Sequence, residues 1–255
     1  MATITHHQLH PVRLGELLDP VIRRELDRIE ILPGHHVLDI GAGTGQITTH
    51  LARLVGPHGT VSAVDADTRH LDPTGIIDVY QRHLDGDVLP GAADTQDIIV
   101  ARWLRPLPHP AEVLEQMVAR LRPGGWLVLA DILDTPPRLI QPTNPDDARL
   151  IHTVLRRIYR TIADPHSSGT WSTDPETLLH HAGMAQVCVH TSTETWTGGG
   201  PGCRILADTT DHLRPLLTGP DLTDTDLDRF SSLITDPSSV LGSYHRRAVH
   251  ARTAS

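Results

Sequence analysis

Three glycines at alternate positions follow a carboxylate in the run Val37-Leu38-Asp39-Ile40-Gly41-Ala42-Gly43-Thr44-Gly45-Gln46. Glycine at 41, 43 and 45 lets the backbone turn sharply and leaves no Cβ between it and a ligand. An apolar run (Val37, Leu38, Ile40) precedes the turn, and Ile47, Leu51, Leu54 and Val55 follow at helical spacing. A strand, a glycine turn and a helix start together hold the polar part of a nucleotide-like cofactor, because the helix start offers free N–H groups and a positive dipole end. The pattern is not the dinucleotide fingerprint G-x-G-x-x-G. The third glycine comes one position early, and Gln46 stands where that fingerprint has glycine. Farther on, Thr60-Val61-Ser62-Ala63-Val64-Asp65 reads as a strand ending in a carboxylate placed to accept from ribose hydroxyls. The plainer role for an acid here, capping a helix, suits Asp67 better.

Titratable groups suited to act as a general base are histidines and one tyrosine. His109 follows the fourth predicted strand. His152 and Tyr159 are seven apart on one face of a predicted helix, and His166 lies in the loop beyond it. The chain has 18 histidines, with pairs at His6-His7, His35-His36 and His180-His181. None has the tight spacing of a metal-ligand motif, so no metal site is expected.

The elements that position these groups alternate. A helix spans about residues 12–30 and precedes the first strand. A third segment runs from Asp78 to Leu84 and ends in Asp85-Gly86-Asp87-Val88. Only about one helical turn fits between Asp67 and Asp78, so that crossover is short. Asp97 to Trp103 reads as a fourth strand, and Val113, Leu114, Met117, Val118 and Leu121 as one helix face. Arg122-Pro123-Gly124-Gly125 reads as a helix stop and turn, and Trp126 to Asp131 as a fifth strand. Alternation of this kind implies parallel strands with right-handed crossovers. Helices follow at about 145–163 and 174–182, then a sixth strand at 185–193. A second helical insertion spans about 202–233, and a last strand about 239–251.

The pattern D-x-G-x-G-x-G over Asp39–Gly45, the acid at Asp65, Asp87-Val88 and the phrase L-R-P-G-G-W-L-V-L resemble, in order, the landmarks of class I S-adenosylmethionine (SAM) dependent methyltransferases. The layout resembles small bacterial members, many of them natural-product tailoring enzymes. The resemblance implies an α/β, Rossmann-like seven-stranded sheet, with helical insertions forming a lid over an acceptor pocket. Residues 1–132 would be the entry helix plus the SAM-binding core and 133–175 the acceptor lid. Residues 176–255 would complete the sheet, all in one compact domain. It also implies that the last strand pairs antiparallel between strands five and six.

The same resemblance places SAM, with S-adenosylhomocysteine as product. Asp39, Gly41, Gly43 and Gly45 would hold its methionine end, since a carboxylate suits an ammonium. Asp65 would hold the ribose and Asp87 and Val88 the adenine, with Asp85 the competing acid, and Ala66 would also be cofactor-binding. Ala101 and Arg102 would lie under the sulfonium and the acceptor, although Arg102 also reads as a surface ion-pair partner. The implied activity is methyl transfer to an O or N of a small molecule. The alternative is a SAM-binding enzyme of the same fold that catalyses a cyclisation or rearrangement. Family members often carry a base near 106, where this chain has Pro106. The single asparagine, Asn144, argues against the carboxylate–amide cluster of metal-assisted catechol methylation.

Bulk properties narrow the partners. The 255 residues carry a net charge of −9, and all 22 basic residues are arginine. An acidic chain argues against nucleic acid as a partner. No run of apolar residues is long enough to span a membrane. Cys188 and Cys203 are expected as reduced thiols of a cytoplasmic protein. A homodimer is compatible with this reading, and the acceptor is expected to be a small molecule.

Overall fold

The computed structural model describes residues 11–84, 86–102, 109–133, 136–141, 144–162 and 175–255. The chain divides into two compact units. The first comprises Leu18–Ile132, His166–Thr191 and Arg247–Ser255. The second comprises Met1–Leu17, Leu133–Pro165 and Ser192–Arg246, so both helical insertions fall in the same unit.

The first unit is built on a seven-stranded sheet. Its order is β3 (Ile77–Gln81), β2 (Thr60–Asp65), β1 (His36–Ile40), β4 (Gln96–Arg102), β5 (Leu121–Ile132), β10 (Arg246–Thr253), β7 (Met184–Ser192). The five strands from β3 to β5 are parallel. Gly124 N–H donates to Ala254 O and Leu133 N–H to His245 O, so β10 runs antiparallel to β5, as the resemblance implied. Strand order reverses between β1 and β4. In open α/β sheets the carboxyl ends at such a switch point form the ligand crevice.

Central strands bury both faces, which is why they read as continuous apolar runs. Every residue of β4 is buried. Leu38, Ile40, Ile99, Leu127, Leu129 and Val249 join one core with Val113, Leu114 and Met117 of α3 (Pro110–Val118) and Leu179 of α5 (Pro175–His181). Each such side chain contributes roughly 1.5–3 kcal/mol through burial. Helix α2 (Gln46–Val55) packs Ile47, Leu51 and Val55 inward. No helix separates β2 from β3, consistent with the short crossover.

Two boundaries differ from expectation. The Pro-Gly-Gly segment is not a turn ahead of the strand but lies within β5. The β4–β5 register jumps there, from Gln96 opposite Leu121 to Ile98 opposite Trp126. Gly124, at φ 75°, donates to Ala254 O and so ties this bulge to the end of the chain. The last strand is two strands. β9 (Val240–Gly242) leaves the main sheet, and β10 begins at Arg246.

In the second unit, β9 is the centre of a three-stranded antiparallel sheet between β6 (Arg138–Gln141) and β8 (Thr195–Thr197). Helix α4 (Pro145–Ile162) packs on α6 (Pro201–Leu217) and α7 (Asp224–Thr235). Trp196 is buried with its ring edge-on to Tyr244, the centroids 5.5 Å apart. The indole also covers Gly202, where an added Cβ would lie 2.1 Å from Trp196 Cε2. Gly202→Ala is therefore expected to destabilise this unit by about 1–3 kcal/mol, as overpacked cores do. A urea melt followed by tryptophan fluorescence measures it, and an unchanged midpoint would refute the packing argument. Among the described residues, no helix is long and apolar enough to cross a membrane.

Candidate functional site

The glycine turn follows β1 directly. Gly41 and Ala42 N–H both donate to Val64 O at the end of β2, and Gly45 N–H donates to Ala42 O. All three motif glycines have positive φ, 70°, 57° and 76° in order. Two of them face the protein. A Cβ on Gly41 would sit 3.1 Å from Arg102 O, and one on Gly45 would sit 3.1 Å from Leu71 Cδ2. Gly43 faces outward, since among the described residues a Cβ there would approach only Gly41 O, at 3.9 Å. Its N–H donates to Asp65 Oδ2 at 2.8 Å, while Asp65 Oδ1 accepts from Asp67 N–H at 3.0 Å. The carboxylate thus fixes the turn against β2 and stays half-buried, open to a further donor. Beside it, Ala66 O accepts from Gln81 Nε2 at 3.0 Å, which ties the end of β3 to the same corner.

Asp39 is placed differently from the expectation of a carboxylate facing an ammonium. It is fully buried and bonded inside the fold. Its Oδ1 takes Arg102 Nη2 at 2.8 Å and its Oδ2 takes the Thr48 hydroxyl at 2.6 Å. Arg102 also gives Nη1 to Asp19 Oδ1 at 2.7 Å. Arg102 is accordingly not a surface ion-pair partner, because its side chain is only 6% exposed. Burial pushes the Asp39 carboxyl above the ordinary carboxylate range, with Arg102 and Thr48 pulling the other way. For Arg102, burial opposes the charged form, and the two carboxylates outweigh it and hold the guanidinium protonated. One cation between two acids joins α1 (Pro11–Leu26), β1, α2 and β4 at the point where the glycine turn begins.

Asp19 and Thr48 were missed in the sequence. The available signal for Asp19 was an acid beside the buried Leu17, Leu18, Val21 and Ile22 of α1. For Thr48 it was a hydroxyl on the inner face of α2.

Asp87 closes its own loop, accepting from His83 N–H at 2.7 Å, and Val88 stands 70% exposed beside it. An exposed apolar side chain next to a carboxylate suits the face of a flat ring. The competing Asp85 lies outside the described residues. Ala101 is buried within β4.

Of the candidate bases among the described residues, His109 and His152, neither bonds to this network. His109 precedes α3 with its side chain 66% exposed, 3.7 Å from Glu112. His152 is exposed on α4, its Nδ1 2.9 Å from Arg156 Nη2 of the same helix. His166, Trp103 and Pro106 lie outside the described residues.

A family model described as a methyltransferase domain matches residues 13–182, about two thirds of the chain. The chain belongs to the class I SAM-dependent methyltransferase family. Domains of this family transfer methyl groups from S-adenosylmethionine. The ubiquinone/menaquinone biosynthesis C-methyltransferase of Ectopseudomonas mendocina is 31% identical over 132 residues, 48% of this chain and 49% of that protein. The ubiquinone biosynthesis O-methyltransferase of Paracidovorax citrulli is 28% identical over 137 residues, 49% of this chain and 52% of that protein. The chain thus spans about half the length of the curated relatives it matches first. A putative methyltransferase from Bacillus halodurans shares the fold, with a TM-score of 0.58 at 19% identity over 91% of this chain and 98% of the other. The residues present fit the methyltransferase cofactor, because the one outward-facing glycine of the turn leaves room that a side chain would fill.

Proposed function

We infer that the chain moves a methyl group from SAM to an oxygen or nitrogen of a small-molecule acceptor, as a tailoring step of secondary metabolism in the cytoplasm. The observation that carries the cofactor placement is the outward-facing Gly43 held against Asp65. When bound, SAM supplies a methyl group already activated by a sulfonium. The protein then needs mainly to orient the acceptor and exclude water.

The residues divide the work by position. Gly41, Gly43 and Gly45 shape the wall for the methionine end, and Asp39 acts on that wall through Arg102 and Thr48. Asp65 accepts from the ribose while keeping the Gly43 N–H, and Ala66 lies beside it. Asp87 and Val88 receive the adenine. His109, His152 and His166 stay as candidate bases for the acceptor.

Asp65→Ala is expected to weaken SAM binding by roughly 10–100-fold, the loss of hydrogen bonds to a charged group, as read by calorimetry. Unchanged affinity would displace the ribose from this corner. The acceptor class is tested by incubating the protein with SAM and separate panels of phenols, amines and carbon nucleophiles. S-adenosylhomocysteine and methylated product are followed by mass spectrometry. Product from hydroxyl or amine acceptors supports the reading. Product confined to carbon acceptors, the chemistry named for the Ectopseudomonas relative, would overturn it.

A further inference from the structure

A second cluster of reactive side chains lies at the other side of the same sheet. Cys188 and His190 are two apart on β7, so the pleat sets both on one face. His250 belongs to β10, the neighbouring strand. Cys188 Sγ lies 3.2 Å from His190 Nε2, and one ligand atom from each of the three residues falls within 4.8 Å of the others. All three side chains are half-buried. In the sheet, β4 and the glycine turn are separated from this pair by β5.

The hydrogen bonds around the cluster present lone pairs to it. His250 Nδ1 lies 2.8 Å from Glu25 Oε2. A carboxylate only accepts, so Nδ1 carries the proton and Nε2 is left to bind. Glu25 is itself buried. A buried carboxylate on the far nitrogen of a histidine is the arrangement that orients metal-ligating imidazoles. On the other ring, Arg28 Nη1 lies 3.4 Å from His190 Nε2. A guanidinium only donates, so this nitrogen also offers a lone pair. The Arg28 side chain is 51% exposed and pairs through Nε with Glu25 Oε1 at 3.6 Å, so it would have to leave His190 Nε2 for an ion to bind there.

We propose that Cys188, His190 and His250 bind one Zn²⁺ ion, clamping edge strand β7 to β10, with Glu25 positioning His250. One sulfur and two imidazole nitrogens suit this borderline-soft ion, and a tetrahedral Zn²⁺ takes a water as fourth ligand. Such an ion sets its ligand atoms roughly 3.5 Å apart, so the Cys188–His190 pair is already at that spacing and the wider separation closes by side-chain rotation. Binding changes no oxidation state. The Cys188 thiol gives its proton to solvent, and sulfur and both nitrogens donate electron pairs. Neither histidine was read as a ligand from sequence, because the third ligand comes from a strand sixty residues away.

The test uses the full chain without a histidine tag, titrated with Co²⁺ as a spectroscopic probe and then with Zn²⁺. One equivalent of Co²⁺ should give a thiolate-to-metal charge-transfer band in the near ultraviolet, and Zn²⁺ should abolish it. Cys188→Ser should remove the band, and Glu25→Gln should lower Zn²⁺ affinity roughly 10–100-fold. X-ray absorption of the Zn²⁺-loaded wild type needs no variant to fold, and should show one sulfur with nitrogen or oxygen neighbours. A shell without sulfur, or a charge-transfer band that survives in Cys188→Ser, overturns the site.

Discussion

Arg102→Met is expected to destabilise the first unit by about 3–5 kcal/mol, the cost of leaving buried carboxylates without their cation. Methionine keeps much of the volume of the arginine stem, so the loss reports charge more than packing. Asp39 is fully buried and would retain only the Thr48 hydroxyl, and Asp19, itself 5% exposed, would lose its ion pair. The defect should depend on pH. Burial holds the Asp39 carboxyl above its ordinary range even with Arg102 present, and removing the cation raises it further. A raised carboxyl binds its proton more readily folded than unfolded. The variant therefore gains stability as pH falls and loses it as pH rises through that value. Urea melts of wild type and variant at pH 7 and pH 5 decide the matter. A gap below about 1 kcal/mol, the scale of a surface pair, or one that widens on acidification, would show that the network does not hold the site.

That network explains what was and was not legible in the sequence. Strands β1, β2, β4 and β5 are buried on both faces, so their apolar runs stood out. The glycines and Asp65 were readable because a turn and a strand tip need particular residue types. The role of Asp39 was not readable. Its cation lies 63 residues away, and that cation's second acid lies 83 residues from it. Local pattern shows a charge in an apolar run but not which opposite charge the fold brings to it. The small sheet escaped for another reason. β8 and β9 have three residues each and β6 has four, too few to display a period of two. Residues 239–251 looked like one strand because apolar residues occur on both sides of Ser243-Tyr244-His245. In the structure the chain changes sheets there, and the Ser243 hydroxyl instead donates to Tyr244 O.

Gly43→Ala is expected to lower SAM affinity by about 100-fold or more while costing the fold only about 1–2 kcal/mol, the strain of an L side chain in the left-handed region. Alanine separates binding from folding better than valine does. At φ 57° a β-branched residue is a genuine outlier, so Gly43→Val would confuse strain with occupancy. Among the described residues the added methyl meets nothing closer than Gly41 O at 3.9 Å, so it projects into the space proposed for the cofactor. Gly41→Ala and Gly45→Ala make the contrast. Their Cβ atoms press on Arg102 O and Leu71 Cδ2, so they should lose stability along with binding. Calorimetric titration with SAM, paired with thermal melts of all three variants, reads both quantities. Gly43→Ala binding SAM as tightly as wild type would place the cofactor elsewhere. Loss of binding at 43 with the fold retained identifies the outer face of this turn as the surface that SAM covers.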